Sequence, residues 1–149
     1  MPAPVDVTVF PRLDCCVPDY TGQNRVLARV LTEVKQRLGD RARIEVVPTA
    51  TRRERFDYYR RMLHTLLEAG WPLPFPFGPE QLTSYQEALQ SVDMGHPSSA
   101  LAGLRQMGAY CFQITPVIAL NGKAIFVSTV PSVPELLEAI ETAVAEKEP

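Results

Sequence analysis

The stretch PVIALNGKAIFV, Pro116–Val127, lies in the most clearly patterned third of the sequence. Two apolar runs flank Asn121-Gly122, a dipeptide that favours the positive φ angles of a two-residue hairpin turn. The pattern predicts two antiparallel strands. Just beyond, Ser132 and Glu135 form a capping box, in which a hydroxyl and a carboxylate each satisfy a free N–H at a helix start. Leu136, Leu137, Ile140 and Val144 then recur as the buried stripe of a closing helix, and Lys147-Glu148-Pro149 reads as a frayed tail.

Working outward to the other end, Val5, Val7 and Val9 alternate with Asp6 and Thr8 before Phe10, which is the period of a strand. Pro11 stops it. The loop Arg12–Gly22 carries Cys15, Cys16, Pro18 and Asp19. Leu27, Val30, Leu31, Val34 and Leu38 follow at helical spacing, with Gly39 as the stop. Arg43–Pro48 is a second strand, expected to lie parallel to the first because a helix joins them. Thr51 and Glu54 make another capping box, predicting a helix to Ala69 with Phe56, Tyr59, Leu63, Leu66 and Leu67 on its buried face. The proline-rich linker Trp71–Pro79 precedes two expected helices, one with Leu82, Tyr85, Leu89 and Val92 on one face and a break at Gly95, and one from Pro97 to Gly108.

The 149 residues suit a single domain with a normal core, and 46% hydrophobic and 21% charged content is that of a soluble globular chain. A net charge of -2 argues against nucleic acid as a partner. No apolar run reaches a membrane span, and Met1–Pro4 leads into a strand with no secretory leader pattern. The expectation is a reducing, cytoplasmic home, where three cysteines are core residues or chemistry rather than a disulfide framework.

The order strand, helix, strand, helical block, strand, strand, helix predicts a mixed four-stranded α/β sheet covered by helices. That is the order of the thioredoxin fold, with a helical insertion at about 51–108 before the third strand. Two regions carry a family resemblance. Ile114-Thr115-Pro116-Val117 through Lys123, with Val130-Pro131-Ser132 and Glu135-Leu136, resembles the closing half of small thioredoxin-like redox proteins. Val9-Phe10, followed after four residues by Cys15-Cys16, resembles the start of bacterial arsenic metallochaperones. Together they cover about half the chain on a single-sequence reading. The resemblance implies a cis Thr115-Pro116 bond lying against the reactive thiols, with Thr115 and Pro116 presenting backbone groups to a substrate chain. The chain departs from both patterns. It has no Cys-x-x-Cys, and Tyr20-Thr21-Gly22 stands where metallochaperones carry a third cysteine.

The candidate catalytic residues are Cys15, Cys16 and Cys111. A thiolate is the reactive form, favoured by helix N-termini and cations such as Arg12, while the carboxylate of Asp14 acts against a second negative charge. A disulfide between adjacent cysteines closes a small strained ring and is labile, which suits a switch better than a staple. Five residues before Pro116, Cys111 would lie near the first loop in a thioredoxin-like fold and serve as the resolving thiol. The main expectation is a thiol–disulfide oxidoreductase or redox switch with no cofactor and a protein or small-thiol redox partner. The alternative is a soft-metal or metalloid carrier in which Cys15, Cys16 and Cys111 are the ligands. A third reading is an interaction module that keeps the fold without the chemistry.

Plainer readings stand beside these. Cys111, next to Phe112, fits core packing as well as it fits function. Thr115-Pro116 fits an ordinary trans strand start. His64 reads as a helix-surface or boundary residue and His96 as a cap or loop residue. The arginines at 52, 53, 55, 60 and 61 read as a solvated helix face or as an anion or acidic-partner site. The Trp71–Phe77 aromatics either pack over the sheet or dock a partner.

Overall fold

A computed structural model describes residues 4–12, 22–69 and 115–147. The elements are β1 (Val5–Phe10), α1 (Gln23–Leu38), a 3-10 turn (Gly39–Arg41), β2 (Ala42–Val46), α2 (Arg52–Ala69), β3 (Val117–Leu120), β4 (Lys123–Val127) and α3 (Val133–Lys147). The linker Trp71–Pro79, the two helices expected after it, His96 and all three cysteines lie outside the described residues.

Among the described residues, four strands form one mixed sheet in the order β2-β1-β3-β4. β1 and β2 are parallel, with Val7 opposite Ile44, as a helical crossover requires. β3 runs antiparallel to β1, with Val9 opposite Ile118 and Phe10 opposite Val117. The hairpin turn has the expected dihedrals: φ is 53° at Asn121 and 83° at Gly122. It is also tied to β1. The Asp6 N–H donates to Asn121 Oδ1 at 3.0 Å, and the Asn121 N–H returns to the Asp6 carbonyl at 2.8 Å.

The two-residue period of the strands divides the core into two layers. Val5, Val7, Val9, Ile118 and Leu120 pack with Leu27, Leu31 and Val34 of α1 and with Leu136 and Ile140 of α3. Each such side chain, once fully buried, contributes about 1.5–3 kcal/mol. Phe10 points to the opposite face, where α2 lies. Its ring meets Tyr58 edge-on at 5.5 Å, and Tyr58 meets Tyr59 in the same way. On that face Arg61 of α2 grips Glu45 of β2 through bonds of 2.6 and 3.2 Å. Those bonds hold the Glu45 carboxyl below its usual range.

Both capping boxes form. Thr51 and Glu54 exchange bonds of 2.9 and 3.1 Å, and Ser132 and Glu135 exchange bonds of 3.2 and 3.3 Å. Gly39 ends α1 at φ 56° and donates its N–H to the Lys35 carbonyl. Three details differ from the sequence pattern. β2 begins at Ala42 and its ladder closes with the Val47 N–H on the Val9 carbonyl; Pro48 has no N–H with which to extend it. Among the described side chains of α2, Tyr58, Tyr59, Met62 and Leu66 are buried and Phe56 is half-buried; the expected Leu63 and Leu67 side chains lie outside that set. In α3 the buried residues are Leu136, Ile140 and Ala143, with Leu137 and Val144 partly covered.

Candidate functional site

The end of β1 is held by α2 and by the first turn of α1. Pro11 lacks an N–H, so the ladder stops there, and its carbonyl instead accepts the Tyr58 hydroxyl at 2.5 Å. The next residue is locked to the first turn of α1. The Arg12 N–H donates to Asn24 Oδ1 at 2.9 Å, and Asn24 Nδ2 donates back to the Arg12 carbonyl at 2.7 Å. Arg12 Nη1 adds a 2.9 Å bond to Gln23 Oε1. One asparagine amide thus uses both its donor and its acceptor to join the two ends of the segment 13–21. Cys15 and Cys16 fall within that segment of the sequence.

The start of α1 carries no side-chain cap. Its cap is Gly22, at φ 72°, which has no side chain to accept a first-turn N–H, and no acidic residue stands in the first turn. A helix N-terminus left in this state favours negative charge beside it. The direction of the effect suits a thiolate.

Thr115 and Pro116 enter β3 at the same end of the sheet, because Phe10 is opposite Val117. The Thr115-Pro116 bond is cis, as the resemblance implies. Both residues are buried, Thr115 being 1% exposed. The Pro116 carbonyl accepts the Ser128 N–H at 2.9 Å, which joins the start of β3 to the end of β4. The end of β1, the start of α1 and the start of β3 therefore meet. Of the expected site residues, Thr115 and Pro116 are among the described residues, and Cys15, Cys16 and Cys111 are outside them.

Asn24, Gln23 and Tyr58 belong to this site and were not singled out from the sequence. An asparagine at the start of a helix suggests a cap, but here it caps no helix and bonds backward across a loop. Replacing Asn24 by alanine removes two hydrogen bonds to the Arg12 backbone, each contributing about 1 kcal/mol. The expected result is a loss of about 2 kcal/mol in chemical denaturation, with faster amide exchange at Arg12.

The other sequence candidates are dispersed. His64 is an exposed residue of α2. Arg52, Arg53 and Arg55 are exposed on its first turn, Arg60 lies 6.0 Å from the Phe56 ring centroid, and Arg61 is committed to Glu45. Among the described residues, no three His, Cys, Asp or Glu side chains group as metal ligands do, and no helix is long and apolar enough to cross a membrane. No family model, curated protein or solved structure matches the chain.

Proposed function

We propose that the chain is a thioredoxin-like thiol protein that exchanges disulfides through Cys15 and Cys16. One observation supports this reading: the sheet order β2-β1-β3-β4, with Arg12 after β1 tied to Asn24 of α1 and Phe10 paired with Val117, directly after Thr115-Pro116. In the sequence a vicinal cysteine pair lies between that strand end and α1, whose first turn carries no carboxylate.

In the proposed reaction the thiolate of Cys15 or Cys16 attacks one sulfur of a substrate disulfide. The protein–substrate bond forms, the substrate S–S bond breaks, and the departing sulfur takes up a proton. A second protein thiol, Cys111 or the neighbouring cysteine, then attacks the mixed disulfide and releases the second substrate thiol. The protein is left oxidised, and two molecules of a small thiol such as glutathione return it to the dithiol form and leave as their own disulfide. Backbone groups at Thr115-Pro116 would align the substrate chain beside the attacking sulfur.

A second reading rests on the adjacency of the two cysteines, which lets neighbouring thiolates chelate one soft centre. The two separate in one experiment with the full chain. Purified protein is offered a peptide disulfide with excess glutathione, and separately one equivalent of arsenite read by intact mass. Catalysed reduction of the peptide supports the exchange reading. A stable arsenic adduct without catalysis, lost in Cys15→Ser plus Cys16→Ser, replaces it with the carrier reading. Neither result would leave the thiols without a role.

A further inference from the structure

A groove of about 530 Å³ runs between β4 and α3, beginning at the hairpin turn. Its floor is made by a break in strand pairing. Ile118 faces Phe126, yet the next residue, Ala119, faces Ala124, so β4 carries Ile125 as an extra residue. Regular alternation would send Ile125 and Phe126 to opposite faces. A bulge re-aims side chains, and here both half-buried residues line the groove on the α3 side, beside Leu120 and Ala139. Among the described residues β4 pairs only with β3.

The rim of the groove is acidic. Glu135, Glu138 and Glu146 lie along one face of α3 together with Thr142, facing the single cation Lys123. From 135 to 146 this rim is about 16 Å long at the rise of an α-helix. Glu135 serves the cap of α3, and the bonds from Ser132 hold its carboxyl below its usual range. Glu138 and Glu146 serve no such purpose: among the described residues no cation of the chain pairs with either carboxylate. Glu146 also stands in the last turn of α3, where a negative charge opposes the helix dipole. A second groove at the other sheet edge, between α1 and β2, is the contrasting case. Its cations are already engaged, Lys35 by the carbonyls of Gly39 and Ala42 and Arg43 by Asp6.

We infer that the β4–α3 groove is a docking site for a cationic amphipathic segment of a partner protein. Its apolar side chains would seat on Ile125 and Phe126, and its lysines or arginines would pair with Glu138 and Glu146. The groove is lined by none of the residues of the candidate site, Arg12, Gln23, Asn24, Tyr58, Thr115 and Pro116.

The test is a titration of the isotope-labelled full chain, followed by backbone amide shifts. The probe is a synthetic Lys-Leu-Leu-Lys repeat peptide of about twelve residues, long enough to span the rim as a helix. Two control peptides replace its leucines by serine or its lysines by glutamate. The expected result is saturable binding, with shifts centred on Ile125, Phe126, Glu138, Ala139 and Thr142. It should weaken with salt, fall about tenfold or more in Glu138→Lys plus Glu146→Lys, and vanish with either control peptide. These two glutamates are exposed, so the double variant should keep its fold, and its unshifted spectrum elsewhere checks this. Equal binding of the serine peptide, undiminished binding by the double variant, or shifts centred on another face would overturn the proposal. So would concentration-dependent shifts at the same residues with no peptide present, since a second copy would then be the occupant.

Discussion

Full-length protein carrying Cys15→Ser plus Cys16→Ser is expected to reduce a peptide disulfide no faster than glutathione alone. Serine keeps the size and polarity of the side chain but has no thiolate to attack sulfur. The single variants should divide the roles. Serine at the attacking position abolishes formation of the mixed disulfide. Serine at the resolving position leaves that first step intact and lets the mixed disulfide accumulate as an adduct of defined mass. If Cys111 is the resolving thiol, Cys111→Ser traps this adduct while either loop cysteine alone does not. The proposed chemistry also predicts an effect of charge at the start of α1. Gly22 gives the first turn of α1 no side-chain acceptor, and that turn contains no carboxylate. Moving a negative charge there, as in Gln23→Glu, should slow alkylation of the loop thiols at neutral pH by raising the thiolate pKa.

The largest stability effect is expected at Tyr58. Its ring is fully buried between Phe10 and Tyr59 on the α2 face of the sheet, and its hydroxyl reaches the Pro11 carbonyl. Truncation of a buried aromatic residue costs about 3–5 kcal/mol through lost transfer energy and the cavity left behind. Total stability of a domain this size is about 5–15 kcal/mol. Tyr58→Ala should therefore show a greatly lowered urea midpoint, or no folded baseline at 37 °C. Tyr58→Phe keeps the ring and removes only the hydroxyl, leaving the Pro11 carbonyl without that donor. Its expected cost is about 1–2 kcal/mol. Because Pro11 precedes the anchored Arg12, the phenylalanine variant should also speed amide exchange at Arg12 more than in β3 or α3. Equal destabilisation by the two variants would mean that the hydroxyl, not ring packing, dominates at this position.

The parts of the fold legible in the sequence are those governed by neighbouring residues. Alternation in Val5–Val9, the Asn121-Gly122 turn and the boxes Thr51–Glu54 and Ser132–Glu135 are short-range devices. Each is found as the pattern implies. The face of α2 was less legible, since aromatic residues at 56, 58 and 59 allow two overlapping stripes. Tyr58 wins because its hydroxyl has a partner 47 residues away in the chain. The Arg12–Asn24 clasp was hidden for the same reason: it is a contact across a loop, and an asparagine in the first turn of a helix reads as a local cap. The bulge at Ile125 was invisible too, because an unbroken apolar run carries no sign of which residue is extra. In the candidate site, the entry to β3 at Thr115-Pro116 was legible through its resemblance. The approach of that entry to the end of β1 became visible only through the register of Phe10 on Val117.

If the vicinal cysteines form the proposed reversible redox centre, the chain will exchange electrons with glutathione at equilibrium. The full chain is brought to equilibrium with glutathione buffers spanning reducing to oxidising ratios, quenched by acid, alkylated and read by intact and peptide mass. The predicted result is a reversible loss of two hydrogens with one midpoint inside the buffered range, and with Cys15 or Cys16 always in the bond formed. Three thiols that remain reduced and fully alkylated at every ratio would contradict it.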